Sequence, residues 1–129
     1  MTAPAKPYTL TFDERPAYLY VHLEGLSISA EVIRDYIREM VAKSNETGKS
    51  RIMLYRDIRA VLPESQTFFT VSESLEALRG KKLALVNPHA GIQKGIEFGV
   101  TVGFNRGGNY ATFSDVDAAE RWLLADGNG

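Results

Sequence analysis

A chain of 129 residues has the size of one domain, and its 44% hydrophobic and 24% charged residues exclude a disordered or fibrous polypeptide. Fifteen basic against sixteen acidic side chains leave a formal net charge of -1, too weak a field to recruit nucleic acid or an anionic membrane, and no run of Lys and Arg supplies a local one. The absence of cysteine removes disulfides, thiolate metal sites and a cysteine nucleophile, and two histidines, His22 and His89, make a multi-histidine metal site unexpected.

Met1 to Pro7 is polar and proline-punctuated, without the apolar core of a signal peptide, and no apolar run reaches the ~18 residues of a membrane span. A cytoplasmic location is expected, with flexible ends at 1–7 and 126–129. Tyr8 to Phe12 alternates aromatic or apolar residues with Thr, a strand pattern that Asp13 to Pro16 is expected to break. Ala17 to Leu23 reads as a second strand, joined to the first in a hairpin and closed by Glu24-Gly25. Ser29 has the chemistry of a helix N-cap, with Ile28 and Ile33 placed to form a hydrophobic staple. Ile33, Tyr36, Ile37, Met40 and Val41 then follow one helical face, and Ser44 to Gly48 ends the helix.

Arg51 to Ile58 has an apolar centre, as an inner strand requires. Pro63 suits the first turn of a second helix, lined by Phe68, Val71, Leu75 and Leu78 and ended by Gly80. Lys82 to Val86 is another inner strand, stopped by Asn87-Pro88, and Tyr110 to Phe113 is a short one. Ser114 and Asp117 form a capping-box-like start for the last helix, whose apolar face is Ala118, Ala119, Trp122 and Leu123.

Ala90 to Gly107 admits two readings. Gly91, Gly95, Gly99 and Gly103 recur every fourth residue, which in a helix gives one smooth face for close packing against the sheet, another helix or a second subunit. Each interior glycine costs a helix about 1 kcal/mol against alanine, so that contact must offset roughly 3 kcal/mol for Gly95, Gly99 and Gly103. Alternatively, Phe98, Val100, Val102 and Phe104 alternate, and Glu97 to Phe104 is a strand paired with Tyr110 to Phe113. The strand–helix–strand order before this segment favours the helix, because parallel strands need a crossover.

The resulting order, β-β-α-β-α-β-α-β-α, predicts a single α/β domain over 1–129, with a mixed, mostly parallel five-stranded sheet and four helices. Tyr110-Ala111-Thr112-Phe113, the turn and helix start Ser114 to Ala119, and Trp122-Leu123 resemble the last strand and helix of bacterial SpoIIAA-like proteins, and Phe98-Gly99-Val100 is similar to their third helix. The chain thus resembles the STAS-like domains of sulphate transporters and anti-sigma-factor antagonists. That resemblance implies a non-catalytic protein-interaction or regulatory module, often switched by phosphorylation at the start of the second helix. Here Ile58, Arg59 and Ala60 follow Asp57 without a hydroxyl, and only Ser65 and Thr67 lie near that helix start. Another branch of the fold is similar to Sec14-type lipid-transfer domains and implies an apolar ligand, with Phe68, Phe69, Phe98 and Phe104 either lining its pocket or filling the core.

In open sheets, ligands bind outside the carboxyl ends of parallel strands. Those ends offer Asp57 between Arg56 and Arg59, then Asn87 and His89. Asp57 can act as a base or cation ligand and His89 as a proton shuttle; the alternative is that Asp57 pairs with a neighbouring arginine and His89 sits in a turn beside Pro88. No second carboxylate or nucleophile joins them by motif, so neither enzyme activity, nor cofactor, nor metal is expected. Gly103 to Gly108 matches neither the dinucleotide fingerprint nor the phosphate loop. Asp57, Arg59, Ser65, Asn87 and His89 remain the candidate ligand or partner site, and Gly95, Gly99 and Gly103 the candidate packing or interface face. The expected partner is a protein or a small apolar ligand.

Overall fold

The computed structural model describes residues 6–125; of the ends expected to be flexible, 1–5 and 126–129 lie outside the described residues. The elements are β1 (Tyr8–Glu14), β2 (Leu19–Gly25), α1 (Ala30–Thr47), β3 (Arg51–Asp57), α2 (Glu64–Ala77), β4 (Lys82–Val86), a 3-10 turn over Ala90–Ile92, α3 (Gln93–Asn105), β5 (Asn109–Phe113) and α4 (Val116–Leu124). The five strands lie in chain order, β1 antiparallel to β2 and the rest parallel. This is the mixed α/β sheet with four helices that the patterns predict. No helix among the described residues is long and apolar enough to cross a membrane.

Strand alternation sorts the side chains into two cores. Val21, Ile52, Leu54 and Leu83 face one side, beneath Tyr36 and Met40 of α1 and the partly buried Val71 of α2 and Val100 of α3. Met53, Ala84 and Val86 face the other, beneath Ala119 and Leu123 of α4. Helix α4 packs on β3, β4 and β5. On that face, toward the sheet's β1 edge, Thr9, Thr11, Asp13 and Glu24 are exposed.

Local chemistry explains most boundaries. The Ser29 hydroxyl accepts from the Val32 amide at 3.1 Å, and Gly48 takes the left-handed φ of 71° that closes α1. Strand β1 runs two residues past its expected end, with Asp13 opposite Tyr20 and Glu14 opposite Leu19. It is an edge strand, where charged residues are tolerated and discourage further pairing. Pro63 precedes the first helical residue of α2, its ψ of 152° still extended. Helix α4 is capped by Asp115, not Ser114: the backbone is extended there, and its carboxylate accepts from the Ala118 amide at 2.8 Å. The segment with two readings is helix α3, preceded by the 3-10 turn that contains Gly91.

Strand β1 is fastened to α1 through Glu39, which accepts from the Tyr8 hydroxyl and from Lys6 Nζ at 2.9 Å. Burial pushes the Glu39 carboxyl up, but the hydrogen bonds from Tyr8 and Lys6 more than reverse this and hold it below 4.5. A carboxyl whose pKa is depressed by folding stabilises the fold above its unfolded value, and that contribution is lost as pH falls through the folded value. Glu39→Gln is therefore expected to be less stable than the parent near neutrality and to lose less below pH 4.5, read as urea midpoints against pH. Parallel profiles for the two proteins would contradict this.

Candidate functional site

Two places concentrate chemistry. The first lies between the α1–α3 layer and the sheet, where an apolar recess of about 110 Å³ is lined by residues including Tyr36, Leu54, Arg56, Val71, Gly99 and Tyr110. The glycines of α3 shape this layer. A Cβ at Gly95 would come within 2.7 Å of Val61 Cγ2, at Gly99 within 3.2 Å of Thr67 Cγ2, and at Gly103 within 2.2 Å of Tyr110 Cδ2. These contacts are with the chain's own loop, α2 and β5. None of the four phenylalanines proposed from sequence lines the recess. Phe68 lies half-buried with the Arg106 guanidinium 4.6 Å over its ring, while Phe69 and Phe104 are 67% and 66% exposed, so those two are not core either. Their helix positions point outward, which an apolar count along the chain does not reveal.

Arg56 is the unusual member of the recess. It is only 4% exposed and shares the inner face of β3 with Ile52 and Leu54. Its guanidinium donates to the Ile58 carbonyl at 3.0 Å and the Ala60 carbonyl at 2.7 Å, tethering the loop after β3. It also acts on Tyr36, whose hydroxyl burial pushes up while the charge and hydrogen bond of Arg56 pull it back. Among the described residues no carboxylate forms an ion pair with Arg56. Nearby, burial pushes the Tyr110 phenol up, against the pull of Ser74. Among the described residues the Tyr110 hydroxyl makes no hydrogen bond of normal geometry, and the Ser74 hydroxyl donates instead to the Val71 carbonyl at 2.7 Å.

The second place is the carboxyl end of the parallel strands. Asn87, just past β4, accepts from the His89 amide at 3.1 Å and donates to the His89 carbonyl at 3.0 Å and Gln93 Oε1 at 2.8 Å. This side-chain turn aims His89 Nε2 at Asp57 Oδ1, 2.6 Å away. Asp57 thus pairs with His89 and not with an adjacent arginine: Arg56 points to the opposite face of the strand, and Arg59 is exposed beyond it. Ser65 is exposed in the first turn of α2, and its side chain makes no hydrogen bond among the described residues.

Two residues outside the sequence candidates join this place. His22 and Glu24 of β2 lie beside Tyr55 and Asp57 in the parallel register. His22 stacks on Tyr55 with centroids 5.1 Å apart and planes 19° apart, and its Nε2 is 3.9 Å from Glu24 Oε1. Ligand atoms of His22, Glu24 and Asp57 all lie within 4.8 Å of one another. The only advance signal was the shared parity of these residues along their strands, which needs the register to become a cluster. No protein-family model matches this chain, and no curated protein matches it.

Proposed function

We propose that the chain is a non-catalytic binding module of STAS-like type whose ligand is a small organic anion with an apolar body, seated in the recess with its charged end on Arg56. The observation that carries this reading is the buried guanidinium, which has no carboxylate counter-ion among the described residues. Buried charges are ordinarily paired, because desolvating an ion costs several kcal/mol. Arg56 gives two N–H groups to backbone carbonyls and turns a further donor to Tyr36, and a guanidinium has five. A carboxylate entering the recess neutralises the charge and takes remaining donors. The unsatisfied Tyr110 hydroxyl offers a second polar contact. At about 110 Å³ the recess is of the order of the ~150 Å³ apolar cavity that takes up benzene, so a ring or short branched acid fits it better than a long acyl chain.

Benzoate is the simplest probe: a benzene body with one carboxylate. It is expected to bind with a Kd of about 10⁻⁴ M, typical of so few atoms, and at least ten times more tightly than neutral benzamide, by calorimetry. Arg56→Leu is expected to abolish that preference. Tyr110→Phe, which removes only an unsatisfied hydroxyl, is expected to keep the fold and weaken benzoate several-fold. Equal binding of benzoate and benzamide, or benzoate binding that survives Arg56→Leu, would contradict the assignment.

A protein-interaction reading is favoured by Phe69 and Phe104, two large exposed aromatics on α2 and α3. Under it, Phe69→Ser with Phe104→Ser is expected to lose a partner captured from the native host while benzoate binding persists. Retention of every partner by the double variant would remove it.

A further inference from the structure

The chain has only two histidines, and the fold brings both to the neighbourhood of one carboxylate. Parallel pairing sets Glu24 directly beside Asp57 on the same face of the sheet. Like charges abreast on neighbouring strands repel, and a cation held between them relieves that repulsion. Among the described residues neither carboxylate forms an ion pair with lysine or arginine; their close basic partners are the imidazoles of His22 and His89. Lys6, which borders the same groove, is committed to Glu39.

The surroundings hold the donors in place. Stacking on Tyr55 fixes the plane of His22. Asp57 is gripped at one oxygen by His89, itself locked by the Asn87 turn, as a hydrogen-bonded ligand carboxylate is in a metal centre. Glu24 is the adjustable member, its side chain 58% exposed. Metal–nitrogen and metal–oxygen bonds near 2.0–2.2 Å require donors roughly 3–3.5 Å apart. The 3.9 Å between His22 and Glu24, and the separations of up to 4.8 Å among the three donors, close to that by side-chain rotation, largest at the exposed glutamate.

We propose that His22, Glu24 and Asp57 bind one divalent first-row transition ion, with His89 positioning the Asp57 carboxylate. One imidazole nitrogen and two carboxylates favour zinc or cobalt over magnesium and calcium, which take oxygen donors. Three protein ligands leave a position for water or an anion, and the site opens on a groove bordered by Leu26 and Arg59. It lies at the carboxyl ends of the parallel strands, separate from the recess around Arg56, and stands or falls without it.

The test uses the untagged full chain, stripped of metal, titrated with Zn²⁺ by calorimetry and with Co²⁺ by visible absorption. The expected result is one ion per chain with micromolar affinity and the intense d–d bands of four- or five-coordinate cobalt. Millimolar Mg²⁺ is expected not to compete. His22→Ala and Asp57→Asn are each expected to weaken Zn²⁺ by about 100-fold, and His89→Gln by about 10-fold, the usual loss for a group behind a ligand. Zinc is expected to shift the Nε2 resonance of His22 far more than either nitrogen of His89. His22 is half-exposed, so the metal-free melting temperature of His22→Ala separates lost binding from lost folding. No saturable zinc binding below millimolar concentration, or binding left intact in both His22→Ala and Asp57→Asn, would overturn the proposal.

Discussion

Gly103→Ala is expected to destabilise the chain by about 2 kcal/mol and to lower its melting temperature by roughly 5–10 °C. The new methyl would lie 2.2 Å from Tyr110 Cδ2 and 2.5 Å from Cε2. The obstacle is a ring atom close to the backbone of a buried residue, not the tip of a flexible chain. Gly108 also lies against the ring, with Tyr110 Cζ 3.0 Å from the position of a Gly108 Cβ. Two glycines thus leave the space that the Tyr110 ring occupies. Overpacking at such a point costs up to about 3 kcal/mol. The better helix propensity of alanine returns about 1 kcal/mol of that.

Gly99→Ala provides the contrast. Its nearest neighbour would be the Thr67 methyl at 3.2 Å, so the propensity gain and the mild crowding are expected to cancel within about 1 kcal/mol. Gly95→Ala, facing Val61 of a loop at 2.7 Å, is expected to fall between the two. Urea melts of the three variants check the order. A double-mutant cycle between Gly103→Ala and Tyr110→Ala is expected to show coupling of about 1 kcal/mol or more, since shrinking the tyrosine relieves the clash. Equal melts for Gly99→Ala and Gly103→Ala would mean that Tyr110 does not occupy that space.

The glycine spacing pointed to close approach, but it did not say to what. A four-residue repeat looks the same whether the smooth face meets a loop, a tyrosine or a second chain. Helix α1 was legible because every signal lies within its own segment: Ser29, the Ile28 and Ile33 positions, the apolar stripe and Gly48. The end of β1 was not, since Asp13 and Glu14 are strand residues only by virtue of an edge position that the local pattern does not encode.

The same division runs through the candidate site. Asp57, Asn87 and His89 were legible because strand ends can be read from apolar runs, and ligands collect at those ends. His22 and Glu24 depend on the register of β2 against β3, and a slip of one residue would turn both to the opposite face. Arg56 carried a readable signal that went unused. In Arg51 to Asp57 it shares parity with Ile52 and Leu54, so alternation puts Arg56 on their face and Asp57 on the opposite one. Reading neighbours in sequence as neighbours in space produced the expected Asp57–arginine pair in place of the observed Asp57–His89 contact.

Asn87→Ala is expected to cost about 3 kcal/mol. The side chain is buried and makes three hydrogen bonds, to the amide and carbonyl of His89 and to Gln93. Each contributes about 0.5–1.5 kcal/mol, with a further loss wherever a partner stays buried and unpaired. Asn87→Asp separates hydrogen bonding from shape. It keeps the acceptor for the His89 amide but turns an oxygen toward two other oxygens, and it places a charge in a buried site. Burial raises the folded pKa of the new carboxyl, so the unfolded chain releases its proton first. Stability relative to the parent is then expected to fall as pH climbs from about 3.9 through the raised value, and to level off above it. Both variants are expected to speed hydrogen exchange of the His89 amide, which Asn87 holds. If Asn87→Ala left stability and that exchange rate unchanged, the turn would not be what directs His89 onto Asp57.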